Sequence, residues 1–582
     1  MKSYTTSLLL SVLISLALFQ VSNAQTATID WVQKIGAYNT FEPGDYGYSR
    51  GYDLAVDNEG NIYTTGVFLD TLDFDPDSTV YSLYPTGWNT QGVFISKIDS
   101  NGALLWARSF NGSKEASGYS IVVDDFGNVY TAGYFSDTLD IDTGEFIEKI
   151  IADGVYDIFI SKIDKNGNFV WIKQVQANEV DKGLALKIDD NNDLYLGGTF
   201  SDTIDFNIGA IGQHISNGNT DIFLSKMDPN GHFYWIKQLG GSSQDMLKSI
   251  AIDDNSNIYG MGTFKDTVDF DLGNGTYELI FNVSNIFRFK FNTHGEFIWA
   301  RVEEEEFPSQ PVDLAVDGAG NMYATYYRSY FAMRLDLVVK KFDTYGELVW
   351  IKLLGRNSSF IFPCSITVDH HGNVYTMGWF ISSADFDPDT SIYNMEGYLH
   401  GSVFMNRLNA DGSFAWAKHN AGLFGLSWQS VDGIHNGTME LDNNGNLYAV
   451  GWFDGTGTFD YQGENPVSFT SDPYWPTSKV FNLRIKQEGW ANGNIGIDEN
   501  LIESLFIVFP NPASSHINIH IKNMEDGTIS ILEVGGKVLQ SVSLHPNKTE
   551  YTLNIEGYAK GIYFLNIQME GEKIMVEKLI VR

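Results

Sequence analysis

Five acidic elements are the stretches best placed to do chemistry. They read DTLDFDPD (Asp70 to Asp77), DTLDID (Asp137 to Asp142), DTIDF (Asp202 to Phe206), DTVDFD (Asp266 to Asp271) and ADFDPD (Ala384 to Asp389). In an extended D-F-D the two carboxylates share one side of the strand and the Phe points to the other. Asp73 with Asp75, Asp269 with Asp271, and Asp385 with Asp387 therefore each offer two oxygens to a hard cation such as Ca²⁺. The competing expectation is structural: the Phe anchors a loop while the Asp residues are solvated or close Asx turns. The ligand count and spacing of a complete calcium loop do not accompany these pairs, so the structural expectation is favoured, with Ca²⁺ the one cofactor these carboxylates could take.

Other chemistry is sparse. There is no HExxH, no phosphate-binding glycine loop and no Cys/His set with zinc spacing. A catalytic role is therefore not expected. The alternative is a carbohydrate-active enzyme, because a chain this rich in acids contains many carboxylate pairs and only geometry tells which sit at glycosidase separation. The run Glu303 to Glu306 is expected as a solvated loop, and His370-His371 as part of a turn. Cys364 is the one cysteine, which excludes an intramolecular disulfide; among apolar neighbours it is expected as a small buried hydrophobe.

These elements sit between strand-like runs that repeat. Between Gly118 and Trp171 the chain reads SIVVDDFGNVYTAGYF and then DIFISKIDKNGNFVWIKQ. Asp-Asp-Phe-Gly-Asn and Lys-Asn-Gly are tight-turn signals, and the runs between them are β-branched and aromatic. The turn-and-strand signature recurs at Tyr63, Tyr130, Tyr195, Tyr259, Tyr323, Tyr375 and Tyr448, in steps of 67, 65, 64, 64, 52 and 73 residues. A third run starts at Phe94, Phe159, Phe223, Phe287, Val338, Phe404 and Phe481. A fourth is marked by Trp31, Trp106, Trp171, Trp235, Trp299, Trp350 and Trp416. Trp31 precedes every other element, whereas the last third run (Val480 to Lys486) has no fourth run after it. The N-terminal run is therefore expected to complete the last sheet, giving an all-β, seven-bladed β-propeller closed by its N-terminal strand over residues 25–488.

The units resemble the bacterial beta-propeller repeat named SBBP, whose pattern is A-V-D-x-x-G-N-x-Y-x-x-G…D-F…F-x-x-K-x-D-x-x-G-x-x-x-W. That resemblance implies a fold and no agreed catalytic residues. The fifth unit departs from it: Tyr326-Tyr327-Arg328 stands where Gly and an aromatic are expected, and the D-F element is missing. The D-T-L, D-T-I and D-T-V triplets resemble an O-glycosylation acceptor of some Bacteroidetes-type bacteria, which implies Thr71, Thr138, Thr203 and Thr267 as acceptors; a polar turn is the competing expectation.

The ends speak of export. Residues 1–24 combine Lys2, an apolar run from Leu8 to Val21 and Ser22-Asn23-Ala24, which is a signal peptide pattern. No later stretch is apolar for long enough to span a bilayer. Residues 489–503 form a Gly/Asn-rich linker, and alternating strands over 504–582 imply a small immunoglobulin-like β-sandwich. Its F-P-N-P opening, its G-I-Y-F strand and its Lys-bearing last strand resemble the type A sorting domain of the type IX secretion system. The resemblance implies handling by that machinery and a secreted or outer-surface product.

Net charge is −36, of which residues 25–501 carry 64 acids against 29 bases, net −35. Such a surface repels phosphate backbones and excludes nucleic acid as a partner. If strand one runs up, the tight turns between strands one and two and between three and four lie at one end. The longer connections, which begin with the acidic elements, then lie at the other. A glycan or protein ligand is expected on that long-loop face. The expected role is a secreted or cell-surface, non-catalytic binding or scaffold module.

Overall fold

The fold begins with one carboxylate per turn. In the second repeat Asp124 Oδ1 accepts the amides of Phe126 (3.0 Å) and Asn128 (2.8 Å), while Oδ2 accepts Asn128 Nδ2 and the Tyr130 hydroxyl (3.0 Å). Gly127, at φ 78°, makes the tight reversal. The strands on either side, Ala116–Val123 and Val129–Phe135, then pair antiparallel. Asp157–Ile163 and the first half of Phe169–Ile188 complete a four-strand order. The same order recurs along the chain, and Tyr63, Tyr195, Tyr259, Tyr323, Tyr375 and Tyr448 donate to Asp57, Asp189, Asp253, Asp317, Asp369 and Asp442 at 2.9–3.2 Å.

This computed structural model describes residues 27–37, 48–487 and 506–581. Left out within those spans are 70, 76–79, 86, 88–89, 143–146, 208–211, 274, 304–308, 331–333, 356–359, 390, 398–400, 420, 423–436, 454–455, 460–466, 471–478, 510–514, 522–526, 534–536, 546–547, 549 and 570–573. The signal segment 1–24 and the linker 489–503 therefore lie outside the described residues. All regular structure described is β-strand. The chain divides into two compact units, Met1–Glu488 and Gly489–Arg582.

In the first unit, fourth-strand Trp side chains tie one repeat to the next through their indole N–H groups. Trp171 packs on Tyr130 (ring centroids 6.1 Å apart), and its indole N–H donates to Pro229 O in the following repeat (3.3 Å). Trp106, Trp235, Trp299 and Trp350 donate likewise to Lys165, Thr293, Thr344 and Ala410. Trp31 donates to Ser100 O at 3.1 Å, so the N-terminal strand makes the same link. That strand, Ala27–Ala37, pairs antiparallel with Lys479–Gln487, from Ala27 opposite Gln487 to Ile35 opposite Val480. The pairing inferred for the Trp31 segment is thus present. The first strands also touch in succession, from Ser49–Val56 through Ala116–Val123 and onward to Thr438–Leu441, which touches Ser49–Val56 again.

The acidic elements form hairpins that reach back to the preceding repeat. Leu72–Asp73 pairs with Gly36 and Ala37, Thr138–Asp142 with Asn111 and Gly112, and Ile204 and Asp205 with Ala177 and Gln176. Gly355 N donates to Asp385 O (2.6 Å) in the same manner. Each Phe is an anchor, as expected: Phe74, Phe206, Phe270 and Phe386 are buried and pack on Phe94, Phe223, Phe287 and Phe404 with centroids 4.8–5.5 Å apart.

The fifth repeat corrects one expectation. Glu303 is not a solvated loop residue: it is 5% exposed and held by Arg288 (2.6 Å), Lys340 and the Tyr326 hydroxyl (2.9 Å). Its two cations hold the carboxyl below the usual range despite burial, which opposes them. Glu304 to Glu306 lie outside the described residues. Cys364 is buried, as expected, and burial pushes its thiol up.

In the second unit, His516–Ile521 pairs with Phe506–Phe509 and Glu550–Asn554, while Gly527–Glu533 pairs with Val538–Leu544 and Gly561–Met569, the latter also with Ile574–Val581. Ile517, Ile519 and Leu553 of the first sheet share one core with Ile529, Ile531, Leu565 and Leu579 of the second.

Removing the Glu303 carboxylate alone strands two buried cations. Glu303→Ala is expected to lower unfolding free energy by about 3–5 kcal/mol in denaturant titration. The combined change Glu303→Leu, Arg288→Met, Lys340→Met should restore most of that loss.

Candidate functional site

The predicted cation ligands lie on three separate hairpins. Asp73 Oδ1 accepts the amides of Asp75 (3.1 Å) and Tyr81 (3.0 Å). Asp269 does the same for Asp271 (3.0 Å) and Tyr277 (2.8 Å), and Asp385 for Asp387 (3.1 Å) and Tyr393 (2.9 Å). Asp271 and Asp387 in turn accept the amides of Gly273 and Asp389. One oxygen of each of these five carboxylates is thereby spent on closing a loop. Tyr81, Tyr277 and Tyr393 then donate to Ala107, Ala300 and Ala417 O on the outer strand of their own sheet, at 3.2 Å each. The three pairs are not brought together, and no cluster of three or more His, Cys, Asp or Glu suited to a metal occurs among the described residues. Asp70 and Asp77 lie outside the description.

The described D-T-x triplets lie in or at the start of strands: Asp137 precedes Thr138–Asp142, while Asp202 and Asp266 lie within Leu194–Asp205 and Ile258–Asp269. Asp137, Asp202 and Asp266 have φ of 63°, 60° and 66°, the left-handed region that Asp tolerates by local hydrogen bonding. Thr138, Thr203 and Thr267 follow them at partly or fully exposed positions, and Thr71 is likewise partly exposed.

A second constellation was not singled out from the sequence. It lies where the first strands begin, at the long-loop end. There each first strand carries a bulge, with register shifts between Gly51 and Asp53 and between Gly118 and Ser120. The bulge presses a first-strand carbonyl toward the second strand: a Cβ on Gly66 or Gly133 would lie 1.9 or 2.0 Å from Arg50 O or Ser117 O. It also places the extra residues, Tyr52 and Tyr119, face to face with centroids 5.0 Å apart and planes 4° off parallel. Tyr134 stacks on Tyr119 at 5.2 Å, and Tyr156 meets Tyr134 edge-on at 5.2 Å. Tyr156 donates to Glu115 (2.7 Å), and Gln91 donates to the Tyr48 hydroxyl (2.8 Å). The Arg50 guanidinium lies over Tyr48 (5.0 Å) and Trp452 (4.8 Å). Farther along the same end, Phe362 and Trp379 stack at 4.2 Å with Tyr327 beside them. Burial pushes the Tyr52 phenol up to about 12 and raises those of Tyr48 and Tyr119, so all three are protonated donors at neutral pH. A sequence signal existed: Tyr134, Tyr327, Trp379 and Trp452 each follow the second-strand Gly or its replacement.

At the opposite end of the first strands Glu440 accepts the Val56 amide (3.0 Å). Burial pushes its carboxyl up to about 8, opposed by Lys187 and reinforced by the charge of Asp53. Asp53 itself receives Ser120 Oγ (2.8 Å) and the Ile121 amide (2.9 Å) from the next repeat.

Residues 507–582 match a family model described as a secretion system C-terminal sorting domain, and residues 235–263 and 349–382 match one described as a beta-propeller repeat. The chain therefore carries SBBP propeller repeats and ends in a type IX sorting domain, which marks it for export by that machinery. An uncharacterized WD repeat-containing protein of Acanthamoeba polyphaga mimivirus is 27% identical over 230 residues, 35% of this chain and 17% of that protein. Beta-agarase A of Zobellia galactanivorans is 31% identical over 80 residues, 14% of each chain. The chain thus spans less than a fifth of these curated relatives, 17% and 14% of their lengths. A solved protein of unknown function from Dyadobacter fermentans aligns over 79% of this chain and 99% of its own, with 9% identity and a TM-score of 0.34.

Glu440 binds a proton on folding in the window between its ordinary value of 4.5 and about 8. A raised acid stabilises the folded state at low pH, and that stabilisation is lost as pH climbs through the window. The difference in stability between Glu440→Gln and the natural protein should therefore move in the variant's favour as pH rises from 5 to 8. Paired thermal melts across that range check it, and a pH-independent difference would refute it.

Proposed function

We propose that the first unit is a seven-bladed propeller closed by its N-terminal strand, acting outside the cell as a non-catalytic binding module. The single observation carrying the binding role is the aromatic and Arg50 cluster at the long-loop end of the first strands. The closure reading is supported by the pairing of Ala27–Ala37 with Lys479–Gln487 and by the circular succession of first-strand contacts. Export begins with the signal peptide at residues 1–24 and ends with the type IX tail, read here as an immunoglobulin-like sandwich over 504–582. Glycans are the favoured ligand class, because aromatic side chains with hydroxyls combine apolar ring surface with hydrogen-bonding groups. Ca²⁺ at Asp73/Asp75, Asp269/Asp271 or Asp385/Asp387 is retained as an accessory ligand of the hairpins.

A carbohydrate-active enzyme is the second reading. It is favoured by Glu440, whose carboxyl burial pushes up to about 8 close to Asp53, although this pair lies at the end of the first strands opposite the long loops where such carboxylates are expected. In that reading bound oligosaccharides are cleaved and Glu440→Gln abolishes the cleavage.

A glycan and calcium screen of the exported protein, read by thermal shift, tests the proposal. Binding without turnover, lost in Tyr52→Ala, is expected; no shift with any glycan would overturn the binding role. Deleting 505–582 should trap the protein in the periplasm, measured by fractionation, whereas normal release would refute the tail's sorting role.

A further inference from the structure

We infer that Tyr48, Arg50, Tyr52, Tyr119 and Tyr134 recognise a carboxylate carried by a sugar, so that the ligand is an acidic oligosaccharide. This rests on the binding-module reading and names its ligand.

The donor set points to an oxyanion. The Arg50 guanidinium lies over Tyr48 and beside Tyr52, and Tyr52 begins a stack of three phenols with Tyr119 and Tyr134. Phenol and guanidinium are both donors toward a carboxylate, and Arg accepts nothing. Arg50 forms no ion pair among the described residues, and its Nε is buried with no hydrogen-bond partner. The chain holds 73 acids and 37 bases, yet this guanidinium lies over two rings instead of pairing with an acid among the described residues. Its planar fork matches a carboxylate through two parallel N–H···O bonds, and a ligand supplying that group would satisfy the stranded donor.

The remaining groups favour a saccharide. Tyr156, partly exposed and anchored to Glu115, adds a ring at the Tyr134 end of the stack, and phenol oxygens both donate to and accept from sugar hydroxyls. Charge limits the size of the ligand. The net charge of −35 over residues 25–501 repels a long polyanion, whereas screening over about 8 Å lets one local guanidinium capture a terminal acid.

The test is calorimetric titration of the full chain with trigalacturonate, its methyl ester and a short peptide with a free C-terminus, in about 50 and 300 mM salt. The acid should bind about tenfold tighter than the ester, with the preference shrinking at high salt. Arg50→Gln should erase the preference while leaving ester binding in place. Arg50→Lys, which keeps the charge but loses the fork, should erase most of it and serves if the first variant does not fold. Equal binding of acid and ester would overturn the carboxylate assignment and leave the binding module standing. A peptide that binds as tightly as trigalacturonate would overturn the saccharide. No binding of any probe would remove both readings.

Discussion

The propeller unit depends on a carboxylate that does the work of a backbone turn and a side-chain anchor together. Asp57 shows the pattern: Oδ1 holds the amides of Glu59 and Asn61, and Oδ2 holds Asn61 Nδ2 and the Tyr63 hydroxyl. The Tyr cannot swing away without breaking the turn, and so presents a fixed ring to its neighbours. Lys97 lies over one side (4.8 Å) and Trp106 packs at 6.2 Å. The Trp indole then ties the next repeat. A local hydrogen-bond choice, made within seven residues from Asp57 to Tyr63, thereby sets the spacing between sheets. Each such link is worth about 1 kcal/mol on its own, but it recurs around the unit and is never isolated from packing.

Much of this was legible because it is periodic. The Asp, Gly, Asn and Tyr of the turn, the fourth-strand Trp, and the displacement of Trp31 to the front all carry one-dimensional spacing that the fold reuses. The D-F hairpins were legible as loops with a Phe anchor. What they clasp was not, because Leu72 and Ala37 are partners across repeats and no local pattern records that pairing. The aromatic cluster escaped for a different reason. Tyr52 and Tyr119 look out of phase in a strand of period two, and only a bulge turns them toward each other.

The fifth repeat shows how one fold tolerates a missing part. Its D-F hairpin is absent, and so is the contact that hairpin would make with the preceding repeat. Two substitutions meet there. Glu303 occupies the slot held by Phe110, Val175, Leu239 and Leu354 elsewhere, four residues beyond the fourth-strand Trp. Tyr326 replaces the second-strand Gly and reaches Glu303. With Arg288 from the fourth repeat and Lys340 from the fifth, they build a fully paired charge network across the junction. A buried ion network costs desolvation that an apolar contact does not, so it tends to add specificity rather than strength. The same departure leaves Leu348 and Ile351 exposed on the outer strand. In the first, fourth and sixth repeats a hairpin Tyr covers that place.

The acidity of the chain takes on a different meaning in this light. An excess of carboxylates suggests solubility or cation binding, yet many of these groups face inward to the backbone. Asp99, Asp164, Asp228 and Asp343 each cap a third-to-fourth-strand turn by accepting two amides. Asp313 joins Ser249, its own Leu314 amide and the Ile366 amide across three repeats. Even Asp245, which burial pushes up to about 6, accepts the amides of Gly241 and Lys265. A β-array with this many reversals needs acceptors at each one, and a short carboxylate supplies two oxygens within reach of the following residues. Net charge is then partly a by-product of turn count. Against that background the scarce cations mark the exceptions, and the Arg50 guanidinium, lying over Tyr48 and Trp452 with no ion pair among the described residues, is one that the turn chemistry does not explain.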